Sequence, residues 1–170
     1  MADELLTAVK DGIGVITFNR PDVMNAVAPP QLETFIAAVQ ALEADDAVRV
    51  IVITGAGKAF CAGGDMGFLH ALTKMSPDEI KRTVYRAFLG ATRTVKLCSK
   101  PTVAAVNGPA VGAGCEIAVA CDFRLVSTKG FFWENWIDIV DPGVGAASQC
   151  LYAAALQPRP QDPAGRRSQP

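Results

Sequence analysis

Residues 14–19, GVITFN, alternate in polarity, are rich in β-branched side chains and stop short of Pro21, which predicts a strand. After a loop containing NAVAPP, apolar residues recur at 32, 35, 36, 39 and 42, the spacing of a helix over residues 31–43. VRVIVITG is a near-continuous apolar run closed by Gly55, as in a strand covered on both faces. A glycine-laced loop, GAGKAFCAGGDM, follows, with a short helix expected from Asp65. Ser76, Pro77 and Glu79 mark the next helix start, with a serine cap, proline in the first turn and a capping box; that helix is expected to reach Leu97. PTVAAVNG predicts a third strand, residues 113–120 a helix, and FRLVS a fourth strand. Strands alternating with helices predict an α/β fold with crossover connections, not a helical bundle or a sandwich.

Length and composition narrow this picture. A chain of 170 residues, half of them hydrophobic and 19% charged, fits one globular domain. Sixteen basic residues against seventeen acidic ones leave no single-sign field for a nucleic acid or an anionic membrane. The chain has no run of eighteen apolar residues, and its acidic start resembles neither a signal nor a transit peptide, so a cytoplasmic protein without a membrane partner is expected. The five cysteines form no CxxC pair and read as small buried hydrophobes. The pattern changes after Ala155, where LQPRPQDPAGRRSQP has little to bury. Residues 1–155 are therefore expected to form the core and residues 156–170 a disordered tail. So abrupt a change suggests a truncated or frame-altered product, with an ordinary linker as the alternative.

Two glycine-rich corners stand out: Ala62-Gly63-Gly64-Asp65 after one apolar strand, and Gly112-Ala113-Gly114 after another, each ahead of a helix. Helix N-termini present unpaired N–H groups and a positive dipole end. Two such corners could aim two amides at one oxygen that becomes negative during reaction, and small residues would let a carbonyl approach the main chain to about 3 Å. Plain turn chemistry is the competing explanation. Three residues after Ala113, Glu116 returns to the same helical face among apolar neighbours, where burial would raise its pKa and suit it to proton transfer. A solvated or capping glutamate near a helix start is the alternative.

AFCAGGDM followed by PTVAAVNGPAVGAGCEIAVACDFRLVS, with GVITFNRPDVMNAV ahead of both, resembles the crotonase family, the enoyl-CoA hydratases and isomerases. The resemblance covers roughly residues 5 to 150. It implies a crotonase-like spiral of ββα units, here lacking the usual C-terminal helices, and an acyl-CoA thioester as substrate. Coenzyme A then enters as part of that substrate, with no further cofactor and no metal. The backbone N–H groups of Gly64 and Ala113 become the implied oxyanion-hole donors, and Glu116 the residue that handles water. Asp65 is implied to cap or salt-bridge its loop, while Asn25, Ala26 and Ala62, Gly63, Gly64, Asp65 and Met66 line the coenzyme A moiety. The family's homotrimer or hexamer is put in question by the missing helices, and poor solubility or an abnormal oligomer, with much reduced turnover, is expected.

Hydratases of the family use a second glutamate, in a segment matching FFWENWIDIVDPGVG. An ungapped match puts Asn135 there, with Glu134 one residue early and Asp141 near the position of some isomerase acids. Two acids favour hydration of a 2-enoyl thioester; one favours double-bond isomerisation. His70 is the only histidine and reads as an ordinary helix residue. Trp133 and Trp136 read as core or acyl-pocket wall residues. No HExxH, GxSxG or P-loop pattern occurs. The spacing of Gly108, Gly112 and Gly114 is not the dinucleotide fingerprint, which leaves a nicotinamide-binding module as a lesser alternative. An inactive, truncated member of the family is the third reading.

Overall fold

The computed structural model describes residues 4–134. Its five-stranded sheet has the order β1-β2-β3-β4-β6, built from β1 (Leu5–Lys10), β2 (Ile13–Phe18), β3 (Val50–Gly55), β4 (Thr102–Val106) and β6 (Phe123–Val126). β1 pairs antiparallel with β2, and β2, β3, β4 and β6 run parallel. The helices are α1 (Pro29–Ala44), α2 (Met66–Leu72), α3 (Pro77–Ile80), α4 (Arg86–Leu97) and α5 (Ala113–Ala120). Two short parallel strands, β5 (Ala110–Val111) and β7 (Phe132–Trp133), form a second ladder. The α/β expectation and its crossovers hold. Asn135, Trp136, Asp141, Cys150, the boundary at 155 and the tail lie outside the described residues.

The core follows from the hydrophobic pattern. Ile16 and Phe18 of β2 and Ile51 and Ile53 of β3 are buried against Leu32, Phe35, Val39 and Leu42 of α1. Phe18 stacks on Phe35 at 5.3 Å between ring centroids and meets Phe60 edge-on at 6.0 Å. α4 lies against α1 and contributes Ala87, Phe88, Ala91 and Val95. The serine cap forms as expected: Glu79 N–H donates to Ser76 Oγ at 3.3 Å, and Ser76 N–H to Glu79 Oε2 at 2.8 Å.

Three features depart from the expectations. The single helix expected to run to Leu97 is interrupted by a π-helical turn over Lys81–Tyr85. β1 was not anticipated; Asp11 and Gly12, with φ of 53° and 82°, make the two-residue turn that folds it back on β2. Trp133 is 52% exposed, which removes the core alternative and leaves that of an acyl-pocket wall.

Candidate active site

The loop after β3 is held between two other segments. On one side Val111 N–H donates to Cys61 O at 2.9 Å, bridging Cys61 to Ala110. On the other, Val27 N–H donates to Gly63 O and Asp65 N–H to Val27 O, both at 2.8 Å, bridging Val27 to Gly64. This parallel pairing uses the groups flanking Gly64 and turns its own N–H and C=O away from Val27. Among the described residues, neither Gly64 N–H nor Ala113 N–H has a hydrogen-bond acceptor.

The two glycine corners lie against each other. A Cβ on Gly63 would sit 2.9 Å from Val111 O, and Gly63 also has a φ of 92°. A Cβ on Gly114 would run into the main chain of Cys61. The glycines are therefore required by close approach between the segments as well as by turning. Gly112, with φ 49° and ψ −117°, turns the chain into α5, and its carbonyl accepts Glu116 N–H at 2.9 Å.

All eight residues of α5 are buried, Glu116 among them at 5% exposure. Burial, and after it the charge of Glu134, pushes the Glu116 carboxyl up to about 8. The β5–β7 ladder places Glu134: Ala110 N–H donates to Phe131 O at 2.9 Å and Gly112 N–H to Trp133 O at 2.8 Å, and Glu134 is the next residue. Its Oε2 is shut off from solvent. The Cys115 thiol is pushed up to about 12 by burial, then by Glu134 and Glu116, consistent with both carboxylates converging there. Of the open candidates for a second acid, Glu134 is thus brought beside Glu116.

The residues expected along coenzyme A form one cluster, but not all with groups to offer. Asn25 is 1% exposed. Its Oδ1 accepts Arg20 N–H at 2.9 Å, and its Nδ2 donates to Ala56 O and Ala59 O at 2.9 and 2.8 Å. The side chain thus ties the 20–27 turn to the 56–59 loop. Ala26 is buried and its carbonyl accepts from Arg20; Ala62 N–H donates to Met24 O at 3.0 Å. Met66 is exposed. Asp65 caps α2, accepting from Gly67 N–H at 2.9 Å and Phe68 N–H at 3.3 Å, and pairs with Arg20 at 3.1 Å. Burial opposes its charge, but hydrogen bonds from Phe68, Arg20 and Gly67 outweigh it and hold the carboxyl below the usual range. Capping and salt-bridging, the two roles expected of Asp65, coexist. Replacing Asn25 with alanine breaks three hydrogen bonds, one buried and two part-buried, and is expected to cost about 3 kcal/mol at about 1 kcal/mol per lost bond, read as a lower urea midpoint at unchanged m.

His70 is exposed on α2, and Cys61, Cys98, Cys115 and Cys121 are buried free thiols. Among the described residues no cluster of His, Cys, Asp or Glu could hold a metal ion, and no helix is long and apolar enough to cross a membrane.

Residues 8–147 match the family model described as enoyl-CoA hydratase/isomerase. The chain is 39% identical over 156 residues to a protein of Mycobacterium tuberculosis named "Probable enoyl-CoA hydratase", covering 91% of this chain and 59% of that one. It is 34% identical over 166 residues to the crotonyl-CoA hydratase of Syntrophomonas wolfei, covering 89% and 62%. A solved enoyl-CoA hydratase/isomerase structure from Mycobacterium paratuberculosis superposes with a TM-score of 0.73 at 32% identity, covering 82% of this chain and 55% of that one. The chain thus spans about three fifths of the length of these two curated relatives.

Proposed function

The chain belongs to the enoyl-CoA hydratase/isomerase family, and from that premise we propose that it binds an acyl-CoA thioester and adds water across the double bond of a 2-enoyl-CoA. The observation that carries this reading is the convergence of Glu116 and Glu134 at the head of α5, beside the packed corners of Gly63–Gly64 and Gly112–Ala113. A hydratase needs two groups to handle the protons of water, whereas moving a double bond needs only one.

The thioester oxygen sits between the N–H groups of Gly64 and Ala113. As the water oxygen bonds to C3, the electron pair of the double bond shifts through C2 to the thioester oxygen, where the two amides and the α5 dipole take up the charge. The ionised carboxylate accepts a proton from water and the protonated one delivers a proton to C2. Water is added and the pair ends with the proton count it began with. With Glu116 pushed up to about 8, the pair shares one proton near neutrality. Coenzyme A takes part only as the carrier of the acyl group.

The test is hydration of crotonyl-CoA, followed as loss of the enoyl-thioester absorbance. Turnover is expected. Conversion of 3-enoyl thioesters alone would assign the pair to double-bond isomerisation, and no conversion of either would remove the reading.

A further inference from the structure

Arg20 is the one cation that reaches the loop carrying Gly64 among the described ion pairs, across forty-five positions of sequence. Its Nη1 donates to Ala26 O at 2.8 Å and to Asp65 Oδ2 at 3.1 Å, and its main-chain N–H is held by Asn25. Asp65 spends its other oxygen on Gly67 and Phe68 N–H and its own N–H on Val27 O. Gly63 O is taken by Val27 N–H. The peptide groups on both sides of Gly64 are therefore fixed to Val27, and the neighbouring Ala26 carbonyl and Asp65 are fixed to the same guanidinium. Both side chains of the pair are about three-quarters buried, at 23% and 24% exposure, so the contact is shielded from screening. Arg20 also meets Glu4 at 3.4 Å, on the more exposed side.

We infer that the Arg20–Asp65 pair is a positioning device for the Gly64 amide, aiming its N–H at the thioester oxygen without touching substrate. The inference rests on the acyl-CoA reading above and names residues that act behind its oxyanion hole. An amide on a glycine-rich turn has no side chain to steer it, so its direction is set by what its neighbours are tied to. Misplacing such a donor by about 1 Å can cost about a hundredfold in rate while leaving binding by the rest of the substrate intact.

Asp65→Asn separates positioning from capping. Asparagine remains a good N-cap and can keep Gly67 and Phe68, but its NH2 faces the Arg20 guanidinium donor to donor. The probe is a cinnamoyl-CoA thioester with an electron-donating ring substituent, whose absorbance moves to the red when its carbonyl is polarised by the oxyanion hole. In Asp65→Asn and Arg20→Gln most of that shift is expected to vanish, and kcat on crotonyl-CoA to fall about ten- to a hundredfold with KM within about threefold of the parent. Arg20→Lys is expected to restore part of both, and Glu4→Gln to change neither. A parent that shifts the probe beside variants that shift it equally overturns the clamp alone. Lost turnover with an intact shift and a lowered Tm also overturns it, since that is a purely structural role. A parent that neither shifts nor hydrates overturns the acyl-CoA reading and the clamp together.

Discussion

Ala113→Pro is expected to lower kcat for 2-enoyl-CoA hydration by about 10²- to 10³-fold, the usual cost of losing one oxyanion-hole donor, while the fold survives. The substitution removes one hydrogen-bond donor and adds two ring carbons at a buried position. Ala113 is the first residue of α5, where proline is favoured because its missing N–H has no intrahelical partner and its φ suits the helix. The preceding residue, Gly112, has no Cβ to clash with the proline ring. The Glu116 N–H bond to Gly112 O, which closes the first turn, does not involve residue 113. Ala113→Gly, which keeps the N–H, is the matching control and should stay close to the parent. The measurements are kcat with crotonyl-CoA and Tm by calorimetry. A well-folded Ala113→Pro that turns over like the parent would mean that this amide does not face the reacting carbonyl.

Much of the site was legible because it depends on local rules. Gly63, Gly112 and Gly114 occupy positions where a Cβ or a negative φ is excluded, and glycine in a strand-to-helix corner carries that information in a single letter. Glu116 was legible through its three-residue offset from Ala113, a property of the helix alone. Glu134 was left open because its place depends on a ladder of two residues per strand, too short to leave a periodic signal. The bonds of Asn25 were not readable for a related reason: its Nδ2 is consumed by carbonyls more than thirty positions away, which no local pattern encodes. β1 differs, because Asp11-Gly12 between two apolar segments is a strong hairpin signal and was readable. The π-helical turn at Lys81–Tyr85 carries no glycine or proline to announce it.

Glu116→Gln is expected to lose about 10²- to 10⁴-fold in kcat, the usual share of a general acid–base group, and at the same time to become more stable than the parent as pH rises. The sign follows from proton counting. The folded protein holds the Glu116 proton up to about 8, whereas in the unfolded chain it leaves near 4.5, the ordinary value. Between those limits the native state binds more protons than the unfolded one, so parent stability falls as pH rises, by about 1.4 kcal/mol per unit for a fully retained proton. The contribution is complete below about 4.5 and gone once pH passes about 8. Glutamine carries no such proton, so the gap between variant and parent in urea-unfolding free energy should widen from pH 5 to pH 8 and then level off. Lost turnover with parallel stability profiles would leave Glu116 in the reaction but remove the raised pKa. Unchanged turnover would remove its catalytic role, whatever the profiles show. Both effects come from burying one carboxylate on α5 beside another: the environment that keeps a proton available near neutrality is the one that makes the parent less stable there.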